Sequence, residues 1–92
     1  MEKTIYTREY GVMLRVLREM REQVPLTQVE LAPKLNVTQV FISKCESGQR
    51  RLDLIELRAW CMAMGVSTSD FLKAVEVGIA DAHLHPHGNT SG

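Results

Sequence analysis

Between Gln28 and Arg51 the chain gathers polar side chains suited to nucleobases and phosphates. Gln39 carries an amide with one donor and one acceptor side, the pattern that pairs bidentately with adenine. Lys44 is a point cation that can donate to guanine or to a phosphate. Val40 between them offers a methyl surface of the kind that meets a thymine methyl, and Ser43 stands on the flank. Counted from Thr38, these fall on one side of a short helix, the side that a helix in the major groove turns toward base edges. Ser47, Gln49, Arg50 and Arg51 follow at once, a polar and basic exit suited to a phosphate backbone. Gln28 stands at the start of a preceding helix, where free backbone N–H groups favour the same partner. For Arg50 and Arg51 the plain alternative is a solvated basic loop; for Phe41 both a core position and an apolar groove contact are open.

Those residues need elements to place them. Thr27 is an N-cap, and Glu30 three residues later completes a capping box. Leu31, Leu35 and Val29 supply an apolar face. Pro33, the sixth residue if Gln28 is the first, removes an intrahelical hydrogen bond and predicts a bent or short helix. Asn36 tolerates the left-handed backbone of a tight turn. Thr38 caps a second helix bearing Val40, Phe41, Ile42 and Cys45, and Gly48 closes it. Two capped helices joined by about three residues make a helix-turn-helix.

The set Thr27-Gln28-x-x-Leu31-Ala32, Val37-Thr38 and Ile42-Ser43-x-x-Glu46-x-Gly48 resembles the Cro/phage-repressor (Xre-type) helix-turn-helix DNA-binding family. Leu17, Arg21, Leu57, Met64-Gly65-Val66 and Phe71-Leu72 extend the likeness from Leu14 to Val75. The resemblance implies an all-α fold, a compact five-helix lambda-repressor-like DNA-binding domain. It implies that Gln39, Val40, Ser43 and Lys44 contact bases, while placement at the start of the first motif helix and just past the second assigns phosphates to Gln28, Ser47, Gln49, Arg50 and Arg51. It further implies an ion pair between Arg21 and Glu46 fastening the reading helix to the body, and a Gln28 side chain buttressing Gln39. Pro33 departs from the family pattern, which has an ordinary helix former there.

The remaining elements follow from periodicity and caps. Arg8 to Gln23 reads as a first helix with Tyr10, Met13, Leu14, Leu17, Met20 and Val24 on one stripe, ended by Val24-Pro25. Arg15 and Glu19 lie four apart on its other face. Met1 to Thr7 is a lead-in. Asp53 caps a fourth helix to Met64, with Leu54, Leu57, Trp60, Cys61 and Met64 inward and Gly65 at its end. Trp60 is read as core, with exposure to a partner as the alternative. Ser67-x-x-Asp70 opens a fifth helix carrying Phe71, Leu72, Val75, Ile79 and Leu84, a stripe longer than one small core covers.

Ninety-two residues, 45% of them hydrophobic, suffice for one domain. Residues 1–82 are expected to form it, with 83–92 a flexible tail. The formal net charge is zero, but its distribution is not even: residues 1–25 carry +1, 26–52 carry +2 and the remainder −3. The positive end coincides with the helix-turn-helix. So few cations per chain predict few phosphate contacts and a need for dimerisation.

No apolar run long enough to span a membrane and no signal peptide is visible, so the chain is read as cytoplasmic, bacterial or phage-encoded. Cys45 and Cys61 fall on apolar helix faces and are read as reduced core thiols. The three histidines, His83, His85 and His87, sit in a tail without a rigid scaffold, so no metal site and no cofactor is expected. No glycine phosphate loop, zinc spacing or nucleophile triad occurs, and no enzyme is expected.

The expected function is sequence-specific transcriptional regulation by a homodimer on a palindromic operator, joined through the C-terminal helix. The alternative is a protein-interaction module, antitoxin-like or regulator-binding, using the Trp60 face or the fifth helix of the same fold.

Overall fold

A computed structural model describes residues 5–84 of the chain. Five helices follow in order: α1 Ile5–Gln23, α2 Gln28–Lys34, α3 Gln39–Glu46, α4 Leu54–Met64 and α5 Thr68–Leu84. No strand occurs among the described residues. The caps explain most of the boundaries. Thr27 Oγ1 accepts from the Glu30 N–H at 3.0 Å while Glu30 Oε1 accepts from the Thr27 N–H at 2.9 Å. Asp53 and Glu56 repeat that reciprocal pair at the start of α4. Thr38 Oγ1 accepts from the Phe41 N–H, and Ser67 Oγ from the Asp70 N–H. Each cap satisfies N–H groups that have no partner inside their own helix.

The exits are equally local. Asn36 has φ 60°, the left-handed turn between α2 and α3. Gly48 ends α3 at φ 86°, with its N–H on the Cys45 carbonyl and that of Gln49 on the Lys44 carbonyl. That doubled return is a Schellman motif, and Gly65 makes the same one after α4. Pro33 lies inside α2, which stops one residue later at seven residues in all. The short helix expected there is what forms.

The core is built where the five helices meet. Leu17, Leu31, Ile42, Cys45 and Cys61 are fully buried, with Phe71 and Trp60 nearly so. Trp60, 2% exposed, therefore belongs to the core, and an interaction face built on its indole is ruled out. α1 packs along α5, α2 against α3, and α4 closes the bundle between α2 and α5.

Several side-chain expectations need correction. α1 begins at Ile5, about one turn before Arg8, because no proline or glycine interrupts the lead-in. Val24 is exposed, since it lies past the end of α1 and its stripe no longer applies. Val16 is buried in its place. Val29 is 68% exposed because α2 buries only Leu31 and Ala32. Leu54, at the first turn of α4, and Leu72 and Leu84 on α5 are also exposed. Leu52, in the loop after two arginines, is buried instead. His83 belongs to α5, 3.8 Å from Glu9, while His85 and His87 lie outside the described residues.

Candidate nucleic-acid interface

α3 is held by one side and open on the other. Ile42 and Cys45 face the core with no exposed surface. Gln39, Val40 and Lys44 face outward, Val40 at 57% exposure, with Ser43 half-buried beside them. The helix is only eight residues long, too short to be stable alone, so packing has to hold it. Phe41 is half-buried against the rim of the core and carries the Arg50 guanidinium over its ring, 4.7 Å from the centroid. It is a bracing residue, turned to the protein.

The fastening of α3 to the body is polar. Arg21, at the end of α1, is 7% exposed as a whole residue. Its Nε donates to Glu46 Oε2 at 2.6 Å and its Nη2 to Glu46 Oε1 at 3.0 Å, a forked charge-assisted contact. The Arg21 Nη1 donates to the Leu26 carbonyl at 2.8 Å, tying the turn before α2 into the same point. Gln28 Nε2 donates to Glu46 Oε1 at 2.9 Å, and Gln39 Nε2 donates to Gln28 Oε1 at 2.7 Å. A continuous chain of hydrogen bonds thus runs from α1 through the C-terminus of α3 and the start of α2 to the first residue of α3. It ends on the outward face. Gln39 is thereby fixed in orientation, its amide oxygen left over for another donor.

The basic exit loop is more engaged than its sequence implied. Arg50 Nη2 meets Glu56 Oε2 at 2.9 Å, and Arg50 Nη1 donates to Glu56 Oε1 and to the Arg51 carbonyl. Arg51 lies over Tyr10, 4.0 Å from the ring centroid. The Tyr10 hydroxyl accepts from the Leu52 N–H at 2.9 Å, fixing the loop to α1 across 42 residues of chain. The apolar stripe of α1 places Tyr10 but gives no role to its hydroxyl, for which the only signal in the sequence is a polar tip on a core-facing ring. Ser47 Oγ is turned back to the Lys44 carbonyl at 3.1 Å. Gln49 is exposed.

Electrostatics follow these contacts. The hydrogen bond from Arg50, then that from the Asp53 amide, holds the Glu56 carboxyl below the usual range. The Thr27 amide and hydroxyl do the same for Glu30. Burial pushes the Cys45 thiol up, the nearby Arg50 working against it, and burial also raises Cys61. Both cysteines are free, buried thiols. No group of three or more His, Cys, Asp or Glu among the described residues is arranged to hold a metal ion. No described helix is long and apolar enough to cross a membrane.

Comparison with known proteins agrees with this geometry. A family model described as helix-turn-helix matches residues 17–71. Among solved structures, an XRE-family like protein from Pseudomonas syringae pv. tomato superposes with TM-score 0.75 at 37% identity, covering 79% of this chain and 89% of that one. The clp gene regulator ClgR from C. glutamicum superposes with TM-score 0.69 at 25% identity, covering 77% and 91%. Among curated proteins none matches. With its helix-turn-helix at Gln28–Glu46 inside the matched span, the chain belongs to the Xre/Cro-type helix-turn-helix family.

Proposed function

We propose that the protein is a sequence-specific DNA-binding transcriptional regulator that lays α3 in the major groove. One observation carries the reading: Gln39, Val40 and Lys44 stand exposed on the face of α3 opposite its fully buried Ile42 and Cys45. Val40, exposed between two polar tips, suits contact with base edges and a thymine methyl. Gln28 and the N-terminus of α2 lie beside the backbone, and the loop that follows α3 approaches the phosphates on the far side.

The active form is a homodimer joined through α5, on a near-palindromic operator with half-sites about 34 Å apart. Support for a dimer comes from the small positive excess near α3, which gives each chain few phosphate contacts. The exposed Leu72, Val77 and Leu84 on α5 supply apolar surface for it.

Gel shifts on DNA selected from a random pool test the reading. Wild type is expected to give a discrete complex with an enriched, two-fold symmetric sequence, and Gln39→Ala with Lys44→Ala to weaken it at least tenfold, each lost base contact being worth about 1–3 kcal/mol. Enrichment of no sequence, or equal binding by the double variant, refutes base reading by α3.

A further inference from the structure

Two arginines leave the reading helix side by side, and their surroundings differ. Arg50 spends its guanidinium on protein partners, although its side chain is 44% exposed. It meets both oxygens of Glu56, at 3.1 and 2.9 Å, donates to the Arg51 carbonyl at 2.7 Å and lies over the Phe41 ring. Glu56 is itself fixed, its Oε1 accepting from the Asp53 N–H at 2.8 Å in the capping box of α4. Arg51 has its flat face on Tyr10, and no described residue accepts a hydrogen bond from its guanidinium. Its N–H groups retain their donor capacity for an oxyanion.

We propose that Arg50 is a positioning residue that braces the α3–α4 loop through Glu56 and Phe41, and that Arg51 alone of the pair contacts a DNA phosphate. This rests on the DNA-binding reading above and divides the labour within it. Swinging Arg50 off Glu56 toward a phosphate breaks a forked carboxylate contact, a carbonyl hydrogen bond and a ring stack together. It also leaves the Glu56 carboxylate uncompensated near an anionic backbone. Turning Arg51 outward costs one stack at most, and the Leu52 N–H bond to the Tyr10 hydroxyl keeps the loop in place meanwhile.

The slope of log K against log salt separates the two roles, because each neutralised phosphate contributes about 0.9 to it. Full-length wild type, Arg50→Gln, Arg50→Lys, Arg51→Gln, Glu56→Gln and the Arg50→Gln, Glu56→Gln double variant are titrated onto one duplex across a salt series. Arg51→Gln is expected to lower the slope by about 0.9 per protomer, about 1.8 for the homodimer. Arg50→Gln and Glu56→Gln are expected to weaken binding about two- to fivefold at unchanged slope. Their double variant binds no worse than either single one, since both remove one brace. Arg50→Lys, which keeps the charge and loses the fork, is expected to behave like Arg50→Gln.

A slope lowered by Arg50→Gln and restored by Arg50→Lys overturns the proposal, as does tighter binding with a steeper slope in Glu56→Gln. An Arg51→Gln slope equal to wild type overturns it as well. A wild type that binds every duplex equally refutes operator reading while leaving these slopes measurable; one that binds none overturns both.

Discussion

Removing the Glu46 carboxylate is the sharpest test of how α3 is held. Glu46→Ala deletes both prongs of the Arg21 fork and the bond from Gln28, and leaves the Arg21 guanidinium in a site where the residue is 7% exposed. Breaking a buried ion pair on one side costs about 3–5 kcal/mol, because the remaining charge stays desolvated without compensation. Natural domains hold roughly 0.05–0.15 kcal/mol per residue, so the whole reserve of 92 residues is about 5–14 kcal/mol. At about 4–8 °C per kcal/mol for a domain of this size, Tm is expected to fall by at least about 12 °C. The Arg21→Met, Glu46→Leu double variant is expected to recover most of that loss, since an apolar pair of similar volume removes the stranded charge. It does not restore the Gln28 anchor, so DNA binding stays weak while Tm returns. Thermal unfolding by far-UV circular dichroism and gel shifts on the same samples read the two effects. A Glu46→Ala shift under about 4 °C refutes a buried, coupled pair, and a double variant that binds DNA like wild type refutes the relay to Gln39.

Two further outcomes follow from local geometry. Glu30 and Glu56 titrate lower in the folded chain than in the unfolded one, so the stability they contribute is complete above the ordinary glutamate value of 4.5 and drains as pH falls through and below it. Tm measured down an acid series is expected to drop less steeply in a Glu30→Gln, Glu56→Gln variant, and parallel curves refute the assignment. At Gly11 and Gly78, both within helices, the same substitution has opposite signs. Gly11→Ala, with open space around its added methyl, is expected to stabilise by about 0.5–1 kcal/mol. Gly78→Ala puts a Cβ 2.8 Å from Val12 Cγ1 where α5 crosses α1, and is expected to destabilise by about 1 kcal/mol net, the packing strain exceeding the helix-propensity gain. Urea unfolding checks both, and a stabilised Gly78→Ala refutes the close crossing.

The capped helix starts and the turns were legible in the sequence because their causes lie within a few residues. The start of α1 at Ile5 and the end of α5 at Leu84 were not. Thr27 with Glu30, Thr38, Asp53 with Glu56 and Ser67 cap as their spacing predicts, and Asn36, Gly48 and Gly65 take the left-handed turns expected of them. Family membership was legible for the same reason, since it is carried by short, closely spaced signatures. Periodicity gives the direction of an apolar face but not its width, which neighbouring helices decide. Val29 and Leu54 therefore lie in solvent on the flanks of faces that other residues fill, while Val16 and Leu52 are covered by elements distant in sequence. The different fates of Arg50 and Arg51 were undetermined by the sequence altogether: adjacent cations of one type are told apart only when folding sets Glu56 and Phe41 beside one and Tyr10 beneath the other.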